Sequence, residues 1–234
     1  MKQFSAKQEI IKVGTLLWEK GMVSSNEGNL SVRLEDSKVI ITPSGVSKGF
    51  LTPDQLIILN SDWSPVYPKA PKLTSEFKLH KTIYENTEYT AVCHAHPPYS
   101  TSFAASRKGI PSCLLPEMVL SVGAIPLVPY AAPSTEGVGK NILPFLKDGY
   151  EVFLLQNHGV LTLGKTLTDA YFKMEMVEHY SKIVHLNFLR GDVKLLTKTE
   201  IEELNTIRNN LWKKPGNVIC DVCGYCKFLE GGEK

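Results

Sequence analysis

Short apolar runs that read as strands alternate with segments of helical period along the chain to about residue 213, which leaves α/β or α+β architectures open. The strand candidates are 30–34, 39–42, 90–96, 125–130, 151–157 and 160–163, with Gly, Pro and Ser turns among them. The run 90–96 is compact, apolar and halted by Pro97-Pro98, so it reads as a buried strand. At the start of the chain, Ser5-Ala6-Lys7-Gln8 fits a capping box, Ile10, Val13 and Leu17 keep helical spacing, and Gly21 ends the segment. Thr74 reads as the N-cap of a helix reaching about Asn86, with Phe77, Ile83 and Tyr84 on its buried side. The longest helix is expected over 168–190, where Ala170, Met174, Val177, Val184 and Phe188 share a face, and the last over about 199–212. With no internal repeat and no linker before about residue 214, the reading is one domain over 1–213 and a cysteine-rich tail over 214–234.

Composition removes several classes of function. No apolar run approaches the roughly 18–20 residues of a membrane span. The opening residues, MKQFSAKQEIIKVG, lack the apolar stretch of a secretory signal. Basic residues number 26 against 24 acidic, a net charge of +2 with no block of one sign, which argues against nucleic acid or a membrane surface as partner. The cysteines are odd in number, five, and three of them crowd the tail. They make no disulfide framework, so a reduced, cytoplasmic setting is expected.

The histidines carry the chemistry. His94 and His96 stand two apart on the strand 90–96 and so project to one face. His158 ends another strand candidate, and Gly159 permits a sharp exit. If those strand ends are neighbours, three imidazoles form a metal site with one position open, as catalytic zinc sites do; the alternative is three separately hydrogen-bonded histidines. Glu76, in the first turn of its expected helix, is either a routine partner of the helix dipole or a proton carrier near that metal. Thr74 and Ser75 beside it, with the helix N–H groups, suit an anion such as phosphate. His80, one turn further on, is read as a structural hydrogen-bond partner rather than a ligand. The polar turns Asn26-Glu27-Gly28-Asn29 and Pro43-Ser44-Gly45-Val46-Ser47-Lys48-Gly49 offer small residues and N–H groups of the kind that cradle a phosphate, although turns use such residues anyway. Cys220, Cys223 and Cys226 have the spacing of a thiolate metal loop lacking its fourth ligand, so the tail is either a second metal site or a stretch of reduced thiols.

Together, the runs 28–33 (GNLSVR), 41–45 (ITPSG), 74–76 (TSE), 94–96 (HAH) and 157–159 (NHG) resemble the class II aldolase/adducin family in order and separation, from about residue 5 to 205. The likeness is nearest to the fuculose-phosphate aldolase branch, because residue 76 is Glu where the ribulose-phosphate 4-epimerase branch has Asp. The resemblance implies a single-domain α/β/α sandwich on a mainly antiparallel sheet, assembled as a homotetramer with active sites between neighbours. It implies one zinc ion per subunit on His94, His96 and His158, with Glu76 as the catalytic proton carrier. Gly28, Asn29, Ser44, Gly45, Thr74 and Ser75 fall on the family's phosphate-binding positions.

The implied reaction is retro-aldol cleavage of a small ketose 1-phosphate, of the fuculose or 5-deoxypentulose type, to dihydroxyacetone phosphate and an aldehyde. One departure bears on it. The sugar aldolases carry a Tyr shortly after the Ile-Pro matching Ile110-Pro111, as acid for the leaving aldehyde. Here the stretch is Ser112-Cys113-Leu114-Leu115-Pro116-Glu117. Glu117 resembles a glutamate of the methylthioribulose-phosphate dehydratase branch, or simply opens a helix after Pro116. Tyr130 offers a phenol elsewhere, unless it is a core residue of its strand. The alternatives to an aldolase are therefore that dehydratase, then a pentulose-phosphate 4-epimerase, then a non-enzymatic adducin-like scaffold.

Overall fold

The computed structural model describes residues 2–191 and 193–212. Among these, seven strands make one sheet: β1 (Asn29–Arg33), β2 (Val39–Ile41), β3 (Ile57–Leu59), β4 (Ala91–Ala95), β5 (Leu127–Val128), β6 (Val152–Leu155) and β7 (Gly159–Gly164). Their order is β3-β2-β1-β4-β7-β6-β5, antiparallel throughout except where β5 meets β6. The mixed architecture is as the alternating segments imply, and the dominantly antiparallel sheet is as the resemblance implies.

Helices cover both faces of the sheet. Ala91, Cys93 and Ala95 of β4 point toward α1 (Gln3–Glu19), α3 (Pro98–Ala105) and α6 (Leu167–Arg190), whose Ile10, Leu17, Phe103, Met174 and Val177 complete that core. Val92 faces the other way, toward Leu79, Ile83 and Tyr84 of α2 (Phe77–Asn86) and Ile142 of α5 (Glu136–Lys147). His94 shares the parity of Val92, so the sheet carries it toward α2. β4 is buried along its whole length, which is why it reads as an unbroken apolar run. A third, small cluster joins α4 (Pro116–Ser121) to α7 (Lys198–Ile207) through Val119 and Ile201.

Several boundaries differ from the sequence reading. The expected capping box at Ser5 is absent: α1 starts at Gln3 after Lys2 and has no side-chain cap, the burial of Ala6, Ile10, Val13 and Leu17 sufficing to place it. α2 starts at Phe77, not at Thr74, because Glu76 adopts a non-helical conformation at the N-cap and turns its carboxylate toward the sheet. β3, α3 and α5 have no counterpart in the sequence reading; the two helices are marked by Pro98 at a first turn and by Thr135 capping the Gly137 N–H. Tyr130 lies beyond the short β5 and is exposed, so it is not a core residue of a strand. The proposed metal loop at Cys220, Cys223 and Cys226 lies outside the described residues.

Candidate metal centre

Strand pairing settles whether the histidines meet. β1 and β4 pair with Asn29 opposite His94, and β4 and β7 pair with His94 opposite Leu161 and Ala95 opposite Val160. His158 stands in the turn that enters β7. Its neighbours explain the run 157–159. Asn157 takes the left-handed conformation (φ 54°) and its amide is held by Arg107 Nε at 2.8 Å and the Ala105 carbonyl at 3.1 Å. Gly159 passes so close to β4 that a Cβ would lie 2.6 Å from the Ala95 carbonyl oxygen. The three rings therefore converge, with centroids 4.7–5.0 Å apart.

Their orientation is chemically specific. His94 Nδ1 donates to the Val160 carbonyl at 2.9 Å, which leaves Nε2 to face the cluster. His96 Nε2 lies 3.1 Å from His94 Nε2, and the potential ligand atoms of His94, His96 and His158 all fall within 4.8 Å of one another. Tetrahedral nitrogen ligands at about 2.0–2.1 Å from zinc sit in the same range of mutual separation.

Glu76 completes the cluster. Its Oε2 lies 3.0 Å from His94 Nε2 and accepts from Asn29 Nδ2 at 2.8 Å, while Oε1 lies 3.2 Å from His158 Nε2. Burial pushes the carboxyl pKa up, but His94, His158 and the Asn29 amide outweigh it and hold the group well below the usual carboxylate range. Burial lowers His94 too, yet the adjacent Glu76 carboxylate leaves its pKa raised. His96 and His158 are pushed down to about 4 by burial and by the charge of His94. Glu76 Oε1 is buried without a hydrogen-bond partner. Three imidazole nitrogens facing one another beside a buried carboxylate fit a divalent cation held by the three rings.

The expected anion-binding residues gather beside this cluster. Gly28 has φ 71°, and a Cβ there would meet the His94 carbonyl oxygen at 2.7 Å, so only glycine fits the turn into β1. Ser44 N–H donates to the Lys72 carbonyl at 2.9 Å, which seats the turn holding Ser44 and Gly45 against the segment leading to Thr74, Ser75 and Glu76. Thr74 is buried and its hydroxyl accepts from the Glu76 N–H at 3.4 Å, while Ser75 is exposed. Lys48 had no functional reading in the sequence. It is buried and donates to the carbonyls of Val46 (2.5 Å) and Asn26 (3.2 Å), fastening the two polar turns together. Burial pushes its pKa down to about 8. Its legible signal is a lone lysine inside a small-residue turn.

Glu117 is not brought to the histidines within one chain. It is exposed in the first turn of α4, with no hydrogen bond or ion pair among the described residues. Tyr130 has its backbone N–H on Gln156 Oε1 at 3.0 Å, two residues before His158 in sequence, and its ring is half exposed.

Residues 8–185 match the family model for the class II aldolase and adducin N-terminal domain. The L-fuculose phosphate aldolase of Methanococcus maripaludis is 33% identical over 187 residues, covering 80% of this chain and 98% of the relative. The 3-oxo-tetronate 4-phosphate decarboxylase of Pectobacterium atrosepticum is 32% identical, over 86% of this chain and 92% of the relative. Among solved structures, an L-fuculose 1-phosphate aldolase superposes with a TM-score of 0.79 at 27% identity, covering 89% of this chain and 96% of the other. The crystal structure of YgbL from Escherichia coli superposes at 0.78 with 28% identity, over 86% and 98% of the two chains.

Proposed function

The chain belongs to the class II aldolase and adducin family and is an enzyme of its aldolase and lyase type; on that premise we propose that it cleaves the C3–C4 bond of a small ketose 1-phosphate, releasing dihydroxyacetone phosphate and an aldehyde. The observation that carries this reading is the buried Glu76 carboxylate set against three convergent imidazoles and beside a polar cradle. A divalent ion held by His94, His96 and His158, zinc in this proposal, supplies Lewis-acid stabilisation of the negative charge that develops on the substrate oxygens.

The chain's own groups do the rest. Gly28, Asn29, Ser44, Gly45, Thr74 and Ser75 bind the phosphate and hold the reacting carbons in register. Cleavage needs a base to take the C4 hydroxyl proton while the C3–C4 electron pair passes toward the C2 carbonyl. Glu117 and Tyr130 are this chain's candidates for that base, and assembly as a homotetramer with sites between neighbours would bring such a group from an adjoining subunit. Glu76 then carries a proton to C3 of the resulting enediolate, which completes dihydroxyacetone phosphate. Cytoplasmic residence belongs to the same proposal. Among the described residues no helix is long and apolar enough to cross a membrane.

A second reading is favoured by residues 112–117, which lack the phenol the sugar aldolases use on their leaving aldehyde. Loss of carbon dioxide needs no base for a hydroxyl proton, because the departing carboxylate is already deprotonated. A 2-hydroxy-3-oxo acid 4-phosphate that loses its carboxylate gives the same enediolate, and Glu76 would protonate the same carbon. This decarboxylase reading accords with the second relative. The dehydratase reading rests on Glu117 alone, Glu76 stands where the epimerase branch has Asp and so speaks against an epimerase, and the scaffold has no physical need for an open three-histidine site.

The test is proton NMR of dihydroxyacetone phosphate with zinc-loaded protein in deuterated water. Loss of one proton on the hydroxyl-bearing carbon, blocked in Glu76→Gln, is expected. No exchange with zinc bound would set aside both carbon–carbon cleavage readings. Release of carbon dioxide from a 2-hydroxy-3-oxo acid 4-phosphate, against aldehyde release from a ketose 1-phosphate, then separates the two.

A further inference from the structure

The run 28–33 does more than turn the chain into β1. Asn29, Ser31 and Arg33 alternate along the strand and so share the face turned toward α2. Glu76, His80 and Tyr84 are spaced four apart and form the matching stripe from the N-cap along α2. The two stripes are joined at every level. Asn29 Nδ2 donates to Glu76 Oε2 at 2.8 Å, and Asn29 Oδ1 lies 2.5 Å from His80 Nε2. His80 Nδ1 lies 2.6 Å from Ser31 Oγ, which lies 2.8 Å from the Tyr84 hydroxyl. Arg33 donates to the carbonyls of Thr87 and Tyr89 at the end of α2 and lies over the Tyr84 ring at 4.8 Å.

The direction of this chain of hydrogen bonds follows from the Asn29 amide. Asn29 Nδ2 is the group that faces Glu76 Oε2; the flipped amide would set its carbonyl oxygen against a carboxylate oxygen. Asn29 Oδ1 then faces His80, so Nε2 of that ring carries a proton. His80 is fully buried and its two partners are neutral; burial pushes its pKa down to about 3, so its Nδ1 is bare. A bare Nδ1 accepts from Ser31 O–H, and Ser31 in turn accepts from Tyr84 O–H. Every proton points toward the carboxylate.

We infer that His80 is a positioning residue: by donating from Nε2 to Asn29 Oδ1 it locks the Asn29 amide, which fastens Glu76 Oε2 and leaves Oε1, which makes no hydrogen bond, as the oxygen to meet the reacting carbon. The inference rests on the role given to Glu76 above. It assigns His80 neither to the metal nor to the substrate, and it explains why a neutral histidine lies buried behind the site.

Two measurements on the zinc-loaded full chain test it. Long-range nitrogen–proton correlation spectra of the unsubstituted protein should show His80 with its proton on Nε2; a proton on Nδ1 would overturn the inference without any variant. For function, His80→Phe keeps a ring and removes the donor, whereas the Gln side-chain nitrogen of His80→Gln reaches the place of Nε2. The exchange rate at saturating dihydroxyacetone phosphate should fall about 10- to 100-fold in His80→Phe, with zinc content full and KM within about threefold, and His80→Gln should recover most of it. Exchange lost in Glu76→Gln but kept in His80→Phe would overturn the inference alone. Exchange surviving in Glu76→Gln would overturn the role of Glu76 and the inference with it.

Discussion

His94 Nδ1 donates to the carbonyl of Val160, 2.9 Å away on the neighbouring strand β7. A backbone carbonyl can only accept, so this bond places a proton on Nδ1 and leaves Nε2 as the position for either a second proton or a metal. The sheet itself thereby selects the tautomer in which His94 can serve as a ligand.

Metal binding at this site competes with a proton. Glu76 leaves the His94 pKa raised in the cluster, although burial acts the other way, so a proton competes more strongly there than at an ordinary imidazole. Zinc affinity should therefore fall as pH drops through the His94 range, and binding should release a proton. Calorimetric titrations in buffers of different ionisation enthalpy measure that release; a heat independent of buffer would contradict it.

His80 predicts the sign of one pH dependence of stability. Its folded pKa is depressed to about 3, from an ordinary value of 6.5, chiefly by burial. Between those values the unfolded chain holds a proton that the folded chain excludes, so the contribution of His80 is present above pH 6.5 and is lost as pH falls toward 3. His80→Gln has no such group. The stability advantage of the unsubstituted protein over His80→Gln should shrink steadily on acidification, as urea unfolding of the metal-free proteins at a series of pH values would show.

Lys48 ties the turn at Asn26 to the turn at Val46 and lies buried among groups that only accept its hydrogen bonds. Lys48→Met keeps the aliphatic stem and loses the charge and the clamp. Relief from burying an ammonium group offsets the lost hydrogen bonds, so stability should change by no more than about 1 kcal/mol. The effect is expected in KM for the phosphorylated substrate, which should rise about tenfold with kcat and zinc content little changed. Steady-state kinetics decide it, and a loss confined to kcat would refute the clamp.

Much of this was legible from the chain alone. The i, i+2 pair His94 and His96 lies on a strand whose apolar run is unmistakable, and the long α6 shows its period because one continuous stripe, from Leu167 to Val184, packs on the sheet. β3, α3 and α5 escaped for a local reason. β3 is three residues long, α3 follows a Pro-Pro break, and α5 contains Pro144, so none displays enough periodic sequence to stand out. Glu76 misled in a different way: its first-turn position suited a helix starting at Thr74, but its carboxylate is drawn to Asn29 and the histidines instead.

Residue types and short-range spacing thus determined the strand-borne histidines, the turns of small polar residues, the acidic group near them and the alternating α/β plan, because each depends on neighbours a few positions away. Only the tertiary structure decided that Asn29 and Glu76, 47 residues apart, share a hydrogen bond, that Val160 sets the tautomer of His94, and that His80 stands behind both. Those pairings come from strand order and from the docking of α2 on β1. A buried polar group takes whichever partner the fold brings within hydrogen-bond distance, and that partner's place along the chain leaves no mark beside it.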